Sequence, residues 1–249
     1  MSLLIVGSVA LDSIETRAGS VTDALGGSAL YFSWAASVLN PVQVVGVVGD
    51  DYPMEALEQL AKRGIDVSGI EQTPGESFRW AGRYSDDFND RETLDTRLGV
   101  FSDFDPKIPE SFRNSKYVFL GNIQPELQLN VLDQIQKPAL VVCDTMNFWI
   151  DGNRDALMEV LRRTDVLMVN DSEAIQLSGE SNVYRAANWI LEQGPRTAVI
   201  KQGAYGAFLL DQGSVFYVPA LPIEEVVDPT GAGDSFAGGF MAHVLSLIH

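Results

Sequence analysis

The chain has 249 residues, 46% of them hydrophobic, enough to bury one large core and too few for two full domains. Its 34 acidic residues against 17 basic ones give a formal charge of -17, leaving no Lys/Arg surplus to displace condensed counterions, so no nucleic-acid partner is expected. A single cysteine, Cys143, excludes a disulfide framework and a Cys-based zinc site, and the two histidines, His243 and His249, both lie at the C-terminus, against a Ser-His-Asp triad.

No apolar run reaches the roughly 18 to 20 residues of a membrane span, and no signal-type segment opens the chain, so a cytoplasmic protein with no membrane partner is expected. Leu3 to Val9 reads as a buried parallel strand ending in a loop that carries Asp12. A helix is predicted from about Ser28 to Leu39, stopped by Asn40-Pro41. A strand from Val42 to Gly49 and a helix from Met54 to Lys62, ending near Gly64, follow.

Between about Val67 and Leu98 the pattern changes to short alternating segments such as Phe78-Arg79-Trp80-Ala81-Gly82-Arg83-Tyr84, which predict an antiparallel patch. With Ile14 to Thr22 it is expected to form a small β lid over a site, from segments near 12–25 and 67–100. An exposed patch of strands needs cover, so a homodimer through the lid sheet is expected. Alternation then resumes, with strands near Tyr117–Leu120, Ala139–Cys143, Val166–Val169 and Thr197–Lys201. Helices are predicted near Glu126–Gln134, Arg154–Arg163, Ser172–Leu177 and Val183–Glu192. Such alternation predicts an α/β fold, a mostly parallel sheet with helices on both faces and ligands beyond the carboxyl ends of its strands. No repeat or long linker interrupts it, so residues 1–249 read as one domain plus the lid.

The run Asp228-Pro229-Thr230-Gly231-Ala232-Gly233-Asp234 leads directly into the apolar, small-residue stretch Ser235-Phe236-Ala237-Gly238-Gly239-Phe240. Glycines at such a turn let backbone N–H groups converge on an anion, and the positive end of a helix dipole adds to the attraction. An acidic residue near a helix start also complements the dipole, so Asp234 taken alone has a purely structural explanation.

In its full context this run resembles the C-terminal D-x-x-G-A-G-D signature of the ribokinase-like (PfkB) family of carbohydrate and nucleoside kinases. That resemblance implies a three-layer α/β/α sandwich with a mostly parallel central sheet and a small β lid. It implies transfer of the ATP γ-phosphoryl to a primary alcohol of a sugar or nucleoside. Asp234 would be the base, and the amides of Gly231, Ala232 and Gly233, following Thr230, the anion hole. Asn170-Asp171-Ser172-Glu173 is similar to the family's N-x-x-E element, in which Asn170 and Glu173 organise Mg2+, through water, and the nucleotide phosphates. A plain helix start capped by Asp171 or Ser172 has the same spacing. Lys201-Gln202-Gly203 resembles a nucleotide-side segment, with Lys201 and Gly203 as contacts, and a monovalent cation is a further candidate cofactor beside ATP and Mg2+. Asp12, Gly26 and Gly27 match the acceptor-binding positions. Asp144 and Asn147 resemble a D-x-N type position near substrate, and Arg79, Arg83 and Arg91 are lid candidates for an anionic substrate group.

Two departures qualify the resemblance. Tyr31 stands where the family often has Asn, so the usual acceptor contact is absent or replaced; an aromatic here suits a larger or less polar acceptor such as a nucleoside, or equally packs along its helix face. The chain also stops 15 residues after Asp234, where family members continue, so a truncated C-terminal end or a less covered adenine side is expected. The alternative reading is a non-catalytic sugar- or nucleoside-binding protein that keeps the kinase fold. A Walker-type G-x-x-x-x-G-K-[ST] and a G-x-G-x-x-G after the first strand are both missing, against P-loop NTPases and dinucleotide oxidoreductases.

Overall fold

The computed structural model describes residues 3–88 and 90–247, so His249 lies outside the described residues. The chain divides into two units, 1–112 together with 224–249, and 113–223, where the sequence predicts one domain with a lid.

In the first unit β1 (Leu3–Val6) is apolar throughout and fully buried, as expected of a strand covered on both faces. The chain then forms the antiparallel pair β2 (Ala10–Thr16) and β3 (Gly19–Gly26), followed by α1 (Ser28–Ala36). β4 (Val42–Val48) pairs in parallel with β1, Leu3 opposite Val42. Pro53 opens α2 (Met54–Lys62), whose Ala56, Leu57 and Leu60 face the core, and β5 (Ile65–Gln72) pairs in parallel with β4. β6 (Phe78–Tyr84) and β7 (Arg91–Arg97) complete a separate sheet of order β3-β2-β6-β7.

Two expectations change here. Residues 67–72 belong to β5, in parallel register with β4, rather than to the lid: Ile65 is buried in the core and carries the strand with it. The lid sheet is mixed, because β2 and β6 run parallel with Asp12 opposite Trp80. Every residue of β7 is exposed.

In the second unit β8 (Tyr117–Leu120), α3 (Pro125–Gln134), β9 (Leu140–Asp144), α4 (Asn147–Gly152), α5 (Arg154–Leu161) and β10 (Val166–Asn170) follow one another. Then come α6 (Asp171–Ser178), α7 (Val183–Glu192) and β11 (Thr197–Lys201). β8, β9, β10 and β11 are parallel neighbours, extended antiparallel by the hairpin β12 (Ala207–Asp211) and β13 (Ser214–Val218). The short α4 has no counterpart in the sequence reading. Its Trp149 Nε1 donates to Asn122 Oδ1 at 2.9 Å.

The chain returns to the first unit in α8 (Ala232–Ser246), which packs on α1 with Gly238 against the Phe32 backbone. Asn40 Nδ2 ties the two helices by donating to the Ala242 carbonyl at 2.8 Å. Among the described residues no helix is long and apolar enough to cross a membrane.

Candidate active site

In the first unit the β2–β3 hairpin and the starts of α1 and α8 bring Asp12, Gly26, Gly27, Tyr31 and the 228–234 run together. Asp12 is buried on β2, opposite Ala24 in the hairpin, and its carboxylate lies over Gly26, where an added Cβ would come within 2.0 Å of Asp12 Oδ2. Gly27, at φ 94°, caps α1, so the chain turns into the helix immediately beside the carboxylate. Burial raises the Asp12 pKa to about 6, against the lowering effect of the Gly27 amide and the Tyr31 hydroxyl.

Tyr31 joins the two halves of this arrangement. Its hydroxyl donates to Asp12 Oδ2 at 3.4 Å. Its ring covers Gly231, where an added Cβ would come within 2.2 Å of Tyr31 Cγ. Burial first, then the charges of Asp12, Asp228 and Asp234, push the phenol up, so it stays a donor at neutral pH.

Gly231 caps α8 in the left-handed conformation, φ 71° and ψ 5°, which suits glycine alone among the residues of this turn. Asp228, exposed, shapes the approach: its Oδ1 accepts from the Thr230 amide at 2.8 Å. The Ala232 amide donates to the Pro229 carbonyl at 3.1 Å, so this turn uses one of the three amides expected in the anion hole. Gly231 and Gly233 remain the candidates from that trio. Asp234 sits in the first turn of α8, half-buried, where the N-terminal end of a 15-residue helix favours an ionised carboxylate or a bound anion. The lid sheet reaches this run directly: Thr230 Oγ1 donates to Tyr84 Oη at 3.1 Å and Thr16 Oγ1 to the Val227 carbonyl at 3.0 Å.

The lid arginines have protein partners. Arg79 pairs with Asp23 and Asp51, and Arg83 with Glu15. Arg91 lies over the Trp80 ring, 5.2 Å from its centroid, and its charge acts on Asp12. The spacing of alternating segments gives no hint of these pairings.

In the second unit Asn170 and Glu173 form a reciprocal capping box at the start of α6. Asn170 Oδ1 accepts from the Glu173 amide at 2.8 Å, and Glu173 Oε2 accepts from the Asn170 amide at 2.8 Å. The cap is therefore Asn170 itself, in place of Asp171 or Ser172. Ser172 Oγ also donates to Asn170 Oδ1, at 2.7 Å, so that oxygen serves two donors, and what the Asn170 side chain offers a ligand in this arrangement is its Nδ2 donor.

Lys201 Nζ lies 3.5 Å from Asp144 Oδ1, and both side chains are largely buried. Burial raises the Asp144 pKa while the Lys201 ammonium opposes it. These residues are 57 positions apart, and adjacency of β9, β10 and β11 is the only signal that pairs them. Gly203, at φ 53°, opens an exposed 3₁₀ turn, Gly203–Tyr205. Asn147 is exposed at the start of α4. Cys143 is buried, and burial pushes its thiol up, so it is inert as a nucleophile.

The residues present fit a nucleotide and its metal. The N-terminal end of α8, opened by the left-handed Gly231, is a donor-rich helix end of the kind that attracts phosphate oxygens. No group of three His, Cys, Asp or Glu residues able to hold a metal occurs among the described residues.

A model of the pfkB family carbohydrate kinases matches residues 3–246. A cytidine kinase of Thermococcus kodakarensis is 31% identical over 248 residues, covering 97% of this chain and 88% of the relative. Among solved structures, the nucleoside kinase of Methanocaldococcus jannaschii superposes with a TM-score of 0.78 at 21% identity, covering 98% of this chain and 85% of that one. An E. coli protein solved with ATP and Mg2+ gives 0.80 at 21% identity, covering 99% and 87%. These neighbours share the ribokinase-like α/β fold expected from the strand–helix alternation.

Proposed function

The chain belongs to the pfkB family of carbohydrate kinases, and from that premise we propose that it transfers the γ-phosphoryl of ATP to a primary alcohol of a sugar or nucleoside. The observation that carries the reading is the Gly231 turn: a left-handed glycine opens a 15-residue helix whose first turn carries Asp234. Phosphoryl transfer asks of a protein chiefly positioning and stabilisation of oxygen charge, and this turn offers both.

Asp12 accepts hydroxyl donors of the acceptor and so orients its alcohol. Asp234 takes the proton of that alcohol as its oxygen attacks the γ-phosphorus. The amides of Gly231 and Gly233 would donate to oxygens of the transferring phosphoryl and stabilise their charge. On the donor side Lys201 and Gly203 contact the nucleotide, Lys201 steadied by Asp144. Asn170 Nδ2 donates toward phosphate or water, and Glu173 supplies the carboxylate on the metal side. Mg2+ would be held from the protein side by Glu173 and Asn170 and would supply charge compensation for the phosphates. The lid sheet, tied to the 227–230 run through Thr16 and Tyr84, excludes water from the reacting centre.

A nucleoside is the favoured acceptor class. The cytidine kinase relative covers nearly the whole chain, and Tyr31 brings an aromatic ring to the acceptor side. The test is ADP release in the presence of Mg-ATP with cytidine, adenosine and D-ribose as acceptors. Acceptor-dependent release supports the reading, and ADP formation no faster with any sugar or nucleoside than with water would sink it.

A further inference from the structure

Tyr52 carries a hydroxyl that the fold buries and leaves without a hydrogen-bond partner among the described residues. The residue is 3% exposed. Buried hydroxyls are normally satisfied, because desolvating one without a partner is costly, so each exception requires a cause. Leucine or phenylalanine would fill the same volume without that cost.

The surroundings suggest the cause. Tyr52 stands in the turn between β4 and α2, and this turn is fastened to the start of β6. The Gly49 amide donates to Ser77 Oγ at 2.9 Å, and Asp51 Oδ1 accepts from both the amide and the hydroxyl of Ser77 at 2.7 Å. Asp51 also pairs with Arg79, which lies opposite Leu11 in the β2–β6 ladder, one position before the pair Asp12–Trp80. The turn is thereby held against β6, the strand next to the one that carries Asp12. Burial raises the Tyr52 pKa, and the single charge that adds to this is that of Asp12.

We propose that Tyr52 is an acceptor-binding residue, whose unpartnered hydroxyl bonds a hydroxyl of the polyol or nucleoside held by Asp12. The assignment rests on the reading of Asp12 as the acceptor carboxylate. Its chemistry is complementary: Asp12 accepts only, while a protonated phenol both donates and accepts, so the two together grip two neighbouring hydroxyls of one sugar ring. A deoxy acceptor lacking one of them leaves the Tyr52 hydroxyl unpaired and is discriminated against. The buried tyrosine thus holds in reserve a bond that forms only with ligand.

Tyr52→Phe removes that hydroxyl and nothing else, and three readouts separate the explanations. Without ligand, Y52F should unfold at the wild-type temperature or above it, since no internal bond is lost. Its Kd for cytidine and D-ribose by calorimetry, and its acceptor KM, should rise roughly five- to tenfold, the factor for one neutral hydrogen bond. The KM for ATP should not move. An unliganded Y52F that unfolds earlier than wild type, or one whose acceptor Kd is unchanged, overturns the proposal. If wild type binds the acceptor and Y52F binds it more weakly, but neither releases ADP, the kinase reading fails and the Tyr52 assignment stands. A wild type that neither binds nor phosphorylates cytidine, adenosine or D-ribose overturns both.

Discussion

The ring of Tyr31 occupies the space that any side chain at Gly231 would need: an added Cβ would sit 2.2 Å from Tyr31 Cγ and 2.4 Å from both Cδ atoms. The same tyrosine donates to Asp12, so this buried carboxylate and the turn that opens α8 share one support. Gly231→Ala should therefore do two kinds of damage. It forces a non-glycine residue into a left-handed cap, a cost of about 1–2 kcal/mol, and it displaces the Tyr31 ring. Urea unfolding of G231A, Y31A and the double variant checks this. The two losses should be markedly less than additive, because Y31A vacates the space that the new methyl needs. Additive losses would mean that the ring and the turn do not meet.

Asp12 predicts a pH dependence of definite sign. Its folded pKa of about 6 lies above the ordinary aspartate value of 3.8, chiefly through burial. The fold thus prefers the protonated form, and the stability this group contributes is complete below pH 4 and lost as pH rises through 6. Asp12→Asn should match wild type near pH 4 and exceed it at pH 8 by on the order of 3 kcal/mol, read from melting curves across that range. Acceptor binding should run the other way. The ionised carboxylate accepts hydroxyl donors best, so the wild-type acceptor KM should fall between pH 5 and pH 7, and D12N should lose both the affinity and this dependence. A D12N chain less stable than wild type at pH 8 would contradict the account.

Glu173 has a structural task, in the capping box with Asn170, and a proposed one toward the metal. Glu173→Gln separates them, because the amide oxygen still accepts from the Asn170 N–H while the charge is gone. Stability should change by less than about 0.5 kcal/mol, whereas Glu173→Ala should lose about 1 kcal/mol as a capping interaction. Both variants should need more Mg2+ for half-maximal ADP release. An E173Q enzyme with wild-type magnesium dependence would reduce Glu173 to a cap.

Much of the fold could be read from local signals because the elements concerned carry their own boundaries. The helix Met54–Lys62 lies between Pro53 and Gly64, and the strand Thr197–Lys201 is an uninterrupted run before a glycine turn. β5 escaped because Ile65-Asp66-Val67-Ser68-Gly69-Ile70 alternates like an exposed strand, and only its pairing with β4 assigns it to the parallel sheet. The Gly-rich run suits a phosphate site by its chemistry, yet the Ala232 amide is taken by the Pro229 carbonyl, a detail of turn geometry that the glycine spacing leaves open. Tyr31 could be flagged as unusual but not assigned a contact, since Gly231 lies 200 positions away in sequence and meets it only through the packing of α1 on α8. Asp144 and Lys201 illustrate the same limit.

The central claim is that Asp234 takes the proton from the acceptor alcohol, and Asp234→Asn tests it most directly. The replacement is nearly isosteric at a helix start, so the chain should fold and bind Mg-ATP with an affinity close to wild type, followed by calorimetry. Acceptor-dependent ADP release, measured under saturating Mg-ATP and cytidine, should fall by at least about 100-fold, the lower range for loss of a general base. An Asp234→Asn chain that folds, binds both substrates and releases ADP within a few-fold of the wild-type rate would contradict the account.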